Sequence, residues 1–108
     1  MKIKTSELTG AALNWAVAKC EGAPEYLLDK PWRADELLEH YSTDWAQGGP
    51  IIERECMRVE YLHSEQDWVA DVKGGFFEQY GDTPLIAAMR CCVASKLGDD
   101  VEIPKELT

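Results

Sequence analysis

The residues that could do chemistry in this chain are few. His40 stands four residues before Asp44, and His63 lies between Glu60 and Glu65. A histidine beside a carboxylate can pass a proton, because imidazole titrates near neutral pH and a carboxylate can orient its ring. Such a pair would suit a small hydrolase or transferase, but the chain carries no nucleophile elbow and no HExxH motif to complete it. Cys20, Cys56, Cys91 and Cys92 show no CxxC spacing, and both histidines are distant from them in sequence. No zinc set follows from that pattern. Cys91 and Cys92 are neighbours in a helical stretch, where successive side chains point about 100° apart and are badly placed to bridge. Buried free thiols in a reducing compartment are the expectation, with neither a metal nor an organic cofactor.

Ligand binding offers a sharper candidate. Trp45 precedes Gly48-Gly49-Pro50, which reads as a strong break in the chain. An indole beside such a turn either packs as a lid on the core or forms a wall on which a planar group, such as a base, can stack. Arg90 stands alone between Ala87 and Ala94 on a helix otherwise nearly free of charge. It pairs with one of many acids or lays its stem on the core, or else it aims a guanidinium into a pocket to hold a carboxylate or phosphate. Trp45, Gly48, Gly49, Tyr80 and Arg90 are therefore the candidate ligand-binding residues, for a small nucleotide-like molecule. Gly81-Asp82-Thr83-Pro84 could also offer N–H groups to an anion. The Asp82 carboxylate occupies that place, however, and Pro84 removes a donor, so the segment reads as a helix cap.

The charge balance narrows the partners. Twenty acidic and 11 basic residues give a formal charge of −9. Phosphate backbones and anionic membrane surfaces both call for a surplus of Lys and Arg, so neither nucleic acid nor membrane is expected. An acidic chain can bind a basic protein surface, including by mimicry of nucleic acid, or the charge simply keeps it soluble. No apolar run approaches the roughly 20 residues that span a bilayer. Met1-Lys2-Ile3-Lys4-Thr5 begins like a signal peptide, but Glu7 interrupts it, and a cytoplasmic protein is expected. A length of 108 residues with 45% hydrophobic content fits a single domain over 1–108 with one modest core.

These residues need elements to hold them. Lys2 to Thr5 alternates like a short edge strand, and Ser6 or Thr9 caps a first helix over Ala11 to Glu21, stopped by Gly22 and Pro24. Leu8, Ala12, Trp15, Ala16 and Lys19 fall on one side of it, and Leu13, Val17 and Cys20 widen the apolar stripe. A short helix is expected over Ala34 to Tyr41. Met57-Val59-Tyr61 and Trp68-Ala70-Val72 alternate at period two and form a hairpin across His63 to Gln66. Ile51 and Ile52 extend that sheet, and Gly74-Gly75 ends it. Thr83 then caps the clearest helix, with Pro84 in its first position, Lys96 in its last turn and Gly98 as its stop. A helix this apolar all round packs on more than one side, which suggests a homo-oligomer. A short strand near Val101 to Ile103 completes an α+β fold, a small antiparallel sheet of three or four strands packed against two main helices.

Three stretches resemble the NinX-like family of small tailed-phage proteins, a domain of unknown function. They are Leu8-Thr9-Gly10-Ala11-Ala12-Leu13-Asn14-Trp15-Ala16-Val17-Ala18, then Asp44-Trp45-Ala46-Gln47-Gly48-Gly49-Pro50-Ile51-Ile52-Glu53-Arg54-Glu55, and Thr83-Pro84-Leu85-Ile86-Ala87-Ala88-Met89-Arg90 onward to Gly98. Residues 23–41 carry no clear resemblance. Where the family has Gly-Pro-Thr-Pro before the last helix, this chain has Gly81-Asp82-Thr83-Pro84, which weakens an anion site there further. The resemblance implies a phage accessory protein without enzymatic activity in the host cytoplasm. Such a protein would bind a host protein, with inhibition of host defence as one outcome, or a small signalling molecule.

Overall fold

The computed structural model describes residues 1–108. In chain order the elements are β1 (Lys2–Lys4), α1 (Gly10–Cys20), α2 (Glu25–Leu28), α3 (Ala34–Leu37), α4 (Trp45–Arg54), β2 (Arg58–Leu62), β3 (Asp67–Val72), β4 (Phe76–Gly81), α5 (Pro84–Leu97) and β5 (Asp100–Glu102). The fold is α+β, with a three-stranded antiparallel sheet β2-β3-β4 and a separate pair β1-β5.

Helix α5 is the centre of the fold because its sequence lets everything approach it. Thr83 Oγ1 accepts the Ile86 N–H at 3.1 Å, capping the first turn, and Pro84 occupies the first position, where no donor is needed. Gly98, at φ 92°, ends the helix. Between these ends Ala87, Ala88, Met89, Cys91, Cys92 and Val93 are completely buried, with the sheet on one side and α1 and α4 on others. This helix finds its cover within the chain, which removes the reason for expecting an oligomer from its composition. Gly81 makes the closest approach: a Cβ there would lie 2.7 Å from the Ala87 nitrogen and 2.8 Å from Ile86 Cγ2.

The hairpin forms across the expected connection, with Val59 opposite Ala70 and Tyr61 opposite Trp68. Gly74-Gly75 does not end the sheet. Lys73, Gly74 and Gly75 all take positive φ, reversing the chain into β4. The register slips between Ala70–Gln79 and Val72–Phe76, a bulge that places Phe77 at φ 58°. That extra residue hides β4 from a period-two reading.

Three further expectations are corrected. Gly48-Gly49-Pro50 is not a break but the middle of α4, so Ile51 and Ile52 are helical rather than part of the sheet. Two glycines and a proline make this a poor helix by propensity. The Asp44 cap, which accepts the Ala46 N–H at 2.9 Å, and the burial of Ile51 hold it in place. The helix expected over Ala34 to Tyr41 stops at Leu37. The Lys19 ammonium lies 5.4 Å from the centre of the Trp15 ring. Thr9 does take the N-cap position of α1, although its side chain makes no capping bond.

Helices α1 and α4 end in the same geometry. After α1, Gly22 and Ala23 donate to the carbonyls of Lys19 and Ala18, at 3.2 and 3.0 Å. After α4, Cys56 and Met57 donate to Glu53 and Ile52, at 3.2 and 3.1 Å. Each is a Schellman stop, with Gly22 at φ 82° in one and Cys56 at φ 52° in the other.

Candidate functional site

Two helix N-termini meet at a groove. One wall is Ser42, Thr43 and Trp45, leading into α4, and the other is Thr83 to Ile86, opening α5; the groove holds about 240 Å³. The first wall is anchored from α1, where buried Asn14 Oδ1 accepts the Ser42 N–H at 2.9 Å. The neighbouring Trp15 donates through Nε1 to the Leu28 carbonyl at 2.9 Å, which ties down the irregular segment that follows α1.

Trp45 is 56% exposed and forms the rim. Gly48 and Gly49 act beneath it. A Cβ on Gly48 would collide with the Tyr41 carbonyl oxygen and lie 2.8 Å from Leu85 Cδ2, so only glycine lets α4 close on the start of α5. A Cβ on Gly49 would sit 3.7 Å from Trp45 Cε3, in ordinary contact with the ring. No charged side chain lines the groove. It offers an indole face, hydroxyl groups from Thr43 and Thr83 and the apolar surface of Pro84 and Ile86. Pockets for drug-sized ligands run from roughly 300 Å³ upward. This groove lies below that size.

Arg90 and Tyr80 sit together, but they do not line this groove. Arg90 donates through Nε to the Leu8 carbonyl at 2.8 Å and through Nη1 to the Tyr80 carbonyl at 2.7 Å. It therefore clamps the end of β4 and the approach to α1 onto α5. Burial lowers the pKa of its guanidinium, and the carboxylates of Asp82 and Asp67 oppose that shift. The expected five-residue cluster thus divides into a Trp45 groove resting on Gly48 and Gly49, and an Arg90–Tyr80 clamp whose identified donors serve backbone carbonyls.

Residues 4–96 match the family model described as bacteriophage P22, NinX. The chain belongs to this NinX family. The matched range contains both walls of the groove, the Asn14 anchor and Arg90. No curated protein matches the chain. Family membership places it among phage proteins.

Both histidines of this NinX-family chain are exposed. The His40 ring contacts the Asp35 carbonyl at 2.9 Å, and His63 stacks edge-on against Tyr61, centroids 4.9 Å apart. Neither lines a groove, which takes away the geometric basis for a His-dependent hydrolase. All four cysteines are free. Burial pushes the Cys91 thiol up to about 11, helped by the Asp71 and Glu55 charges. Cys20 and Cys92 share a hydrogen bond that lowers the first thiol and raises the second.

Sequence reasoning missed Ser42, Thr43, Leu85 and Ile86 as groove residues, read Thr83 and Pro84 only as a cap, and missed Asn14 as their support. Asn14 alone gave a signal, as a polar residue inside the apolar run Ala11 to Val17. No helix is long and apolar enough to cross a membrane.

Proposed function

We propose that this phage protein is a non-enzymatic binder of a host component, and that the Trp45 groove receives the planar end of a small nucleotide-like ligand. The observation that carries the proposal is the indole of Trp45, held more than half exposed over a groove that reaches across two capped helix N-termini. An aromatic face held open costs the protein burial that it could otherwise have used, and stacking a base on such a face contributes about 1–3 kcal/mol. The uncharged lining and the chain's charge of −9 favour a nucleoside or a sparsely charged nucleotide over a triphosphate.

Calorimetry of the full chain against a panel of nucleosides, nucleoside monophosphates and triphosphates tests this. Binding of the first two classes, lost in Trp45→Ala and kept in Arg90→Lys, is the expected result. No heat across the panel, or equal binding by Trp45→Ala, overturns the ligand assignment.

A further inference from the structure

The three-stranded sheet has two faces with different surroundings. Val59, Trp68, Ala70 and Val72 join the main core, on the face crossed by α5. The register puts Arg58 opposite Asp71, Glu60 opposite Val69, and Val69 opposite Tyr80. These side chains, with Glu78 hydrogen-bonded to the Tyr80 hydroxyl at 3.1 Å, make up the other face.

At the centre of that outer face Asp71 is 0% exposed. Arg58 covers it, donating through Nε to Asp71 Oδ2 at 2.9 Å and through Nη2 to the same oxygen. The third arm of Arg58 donates to Glu60 at 3.1 Å. Asp71 Oδ1 has no hydrogen-bond partner. Buried carboxylates normally have both oxygens served, so an idle oxygen is a place for a second donor. The surroundings select the kind of donor. Glu60, Asp71 and Glu78 face a single cation, Arg58, and the phenol of Tyr80 stands exposed beside them. Carboxylates and an aromatic ring together suit guanidinium groups, which can fork onto the former and stack on the latter. The roof over Asp71 is movable, because the Arg58 side chain is itself 47% exposed.

We propose that this outer sheet face is a docking surface for an arginine-bearing segment of a partner protein. One guanidinium donates to the idle Oδ1 of Asp71 as Arg58 swings aside, and flanking cations meet Glu60 and Glu78. Charge complementarity identifies the partner as basic. The surface lies apart from the Trp45 groove, and neither reading depends on the other.

The test is an NMR titration of the full, isotope-labelled chain with an extended peptide of alternating arginine and alanine, against a glutamate–alanine peptide as control. Expected are amide shifts concentrated in β2, β3 and β4 and a salt-sensitive affinity. Glu60→Gln/Glu78→Gln weakens that affinity about tenfold. Asp99→Asn/Asp100→Asn, which removes the same charge from the exposed turn into β5, leaves it within about twofold. Asp71→Asn abolishes binding; because it also loosens the Arg58 clasp, its unfolding midpoint is read alongside, and the two exposed double variants carry the decision. Equal weakening by both double variants, shifts scattered over the whole acidic surface, or no binding at all overturns the proposal.

Discussion

Asn14 holds Ser42. The buried side-chain oxygen of a residue in the first helix accepts the Ser42 N–H at 2.9 Å, across 28 positions of sequence. It thereby fixes one wall of the groove to the core. Ser42 is itself buried, so removing the acceptor leaves an N–H with neither a partner nor water. Asn14→Ala is expected to destabilise the protein by about 1–3 kcal/mol. Urea unfolding measures the loss, and an unchanged midpoint would show that the wall is held by something else.

Gly48 and Gly49 are adjacent in α4 and are expected to respond oppositely to the same substitution. Gly48→Ala drives a methyl group into the Tyr41 carbonyl and toward Leu85. The first is backbone and cannot yield cheaply, so a loss of about 1–3 kcal/mol is expected. At Gly49 the new methyl reaches only ordinary contact with Trp45, and alanine favours the helix by up to about 1 kcal/mol. Thermal unfolding of the two variants should move the midpoint in opposite directions. Two losses of equal size would mean that glycine is needed at both positions for a reason other than close approach.

This pair also shows why part of the fold was legible in the sequence and part was not. The last helix could be read because its start and stop are local: Thr83 and Pro84 at one end, Gly98 at the other. Helix α4 could not, because Gly48, which weakens a helix in isolation, is required here by the close approach of α4 to the Tyr41 carbonyl and to Leu85, a residue far away in sequence. The hairpin over 58–72 was visible from its alternation. Strand β4 was masked by a bulge at Phe77 and by a Gly-Gly reversal that looks like an end. At the site, Trp45 was found as an aromatic beside glycines. Its opposite wall was read only as a cap, since nothing in the sequence brings Thr83 near Thr43.

Arg90 looked like a ligand-seeking side chain and is built as a clamp. Its bonds to the carbonyls of Leu8 and Tyr80 join three segments, and both acceptors lose a charged donor when it is removed. Arg90→Met keeps the apolar stem and is expected to cost about 2–4 kcal/mol while leaving ligand affinity at the Trp45 groove within about twofold. A variant that stays stable but loses ligand would restore Arg90 to the binding site.

The thiols divide by burial. Cys91 and Cys92 are completely buried, and burial pushes the first up to about 11. At pH 8 both are neutral as well as inaccessible. Cys56 is exposed and Cys20 partly so, and the Cys92 hydrogen bond, with support from Lys96 and Lys19, lowers the Cys20 thiol. Mass spectrometry after brief alkylation of the native chain should find label on Cys20 and Cys56 alone, and on all four cysteines after unfolding. Native labelling of Cys91 would mean that α5 is not held in the core.

The ends of α1 and α4 are joined by Glu21 and Arg54, which form two parallel hydrogen bonds, each 2.8 Å long. Arg54 holds the Glu21 carboxyl below the usual carboxylate range, chiefly through those bonds and against a smaller effect of burial. A group whose pKa is depressed by folding stabilises the fold when ionised in both states. That stabilisation is complete above the ordinary glutamate value of about 4.3 and disappears as pH falls through the lower folded value. Arg54 is half exposed, so solvent screening limits the pair to about 1 kcal/mol at neutral pH. Stability should therefore differ between wild type and Arg54→Gln by a constant amount from pH 6 to 8, and the gap should close in acid as Glu21 protonates. Carboxyl carbon shifts give the Glu21 titration directly and should move to higher pH in the variant. A gap that persists in strong acid would assign the stabilisation to packing of the Arg54 stem instead of its charge.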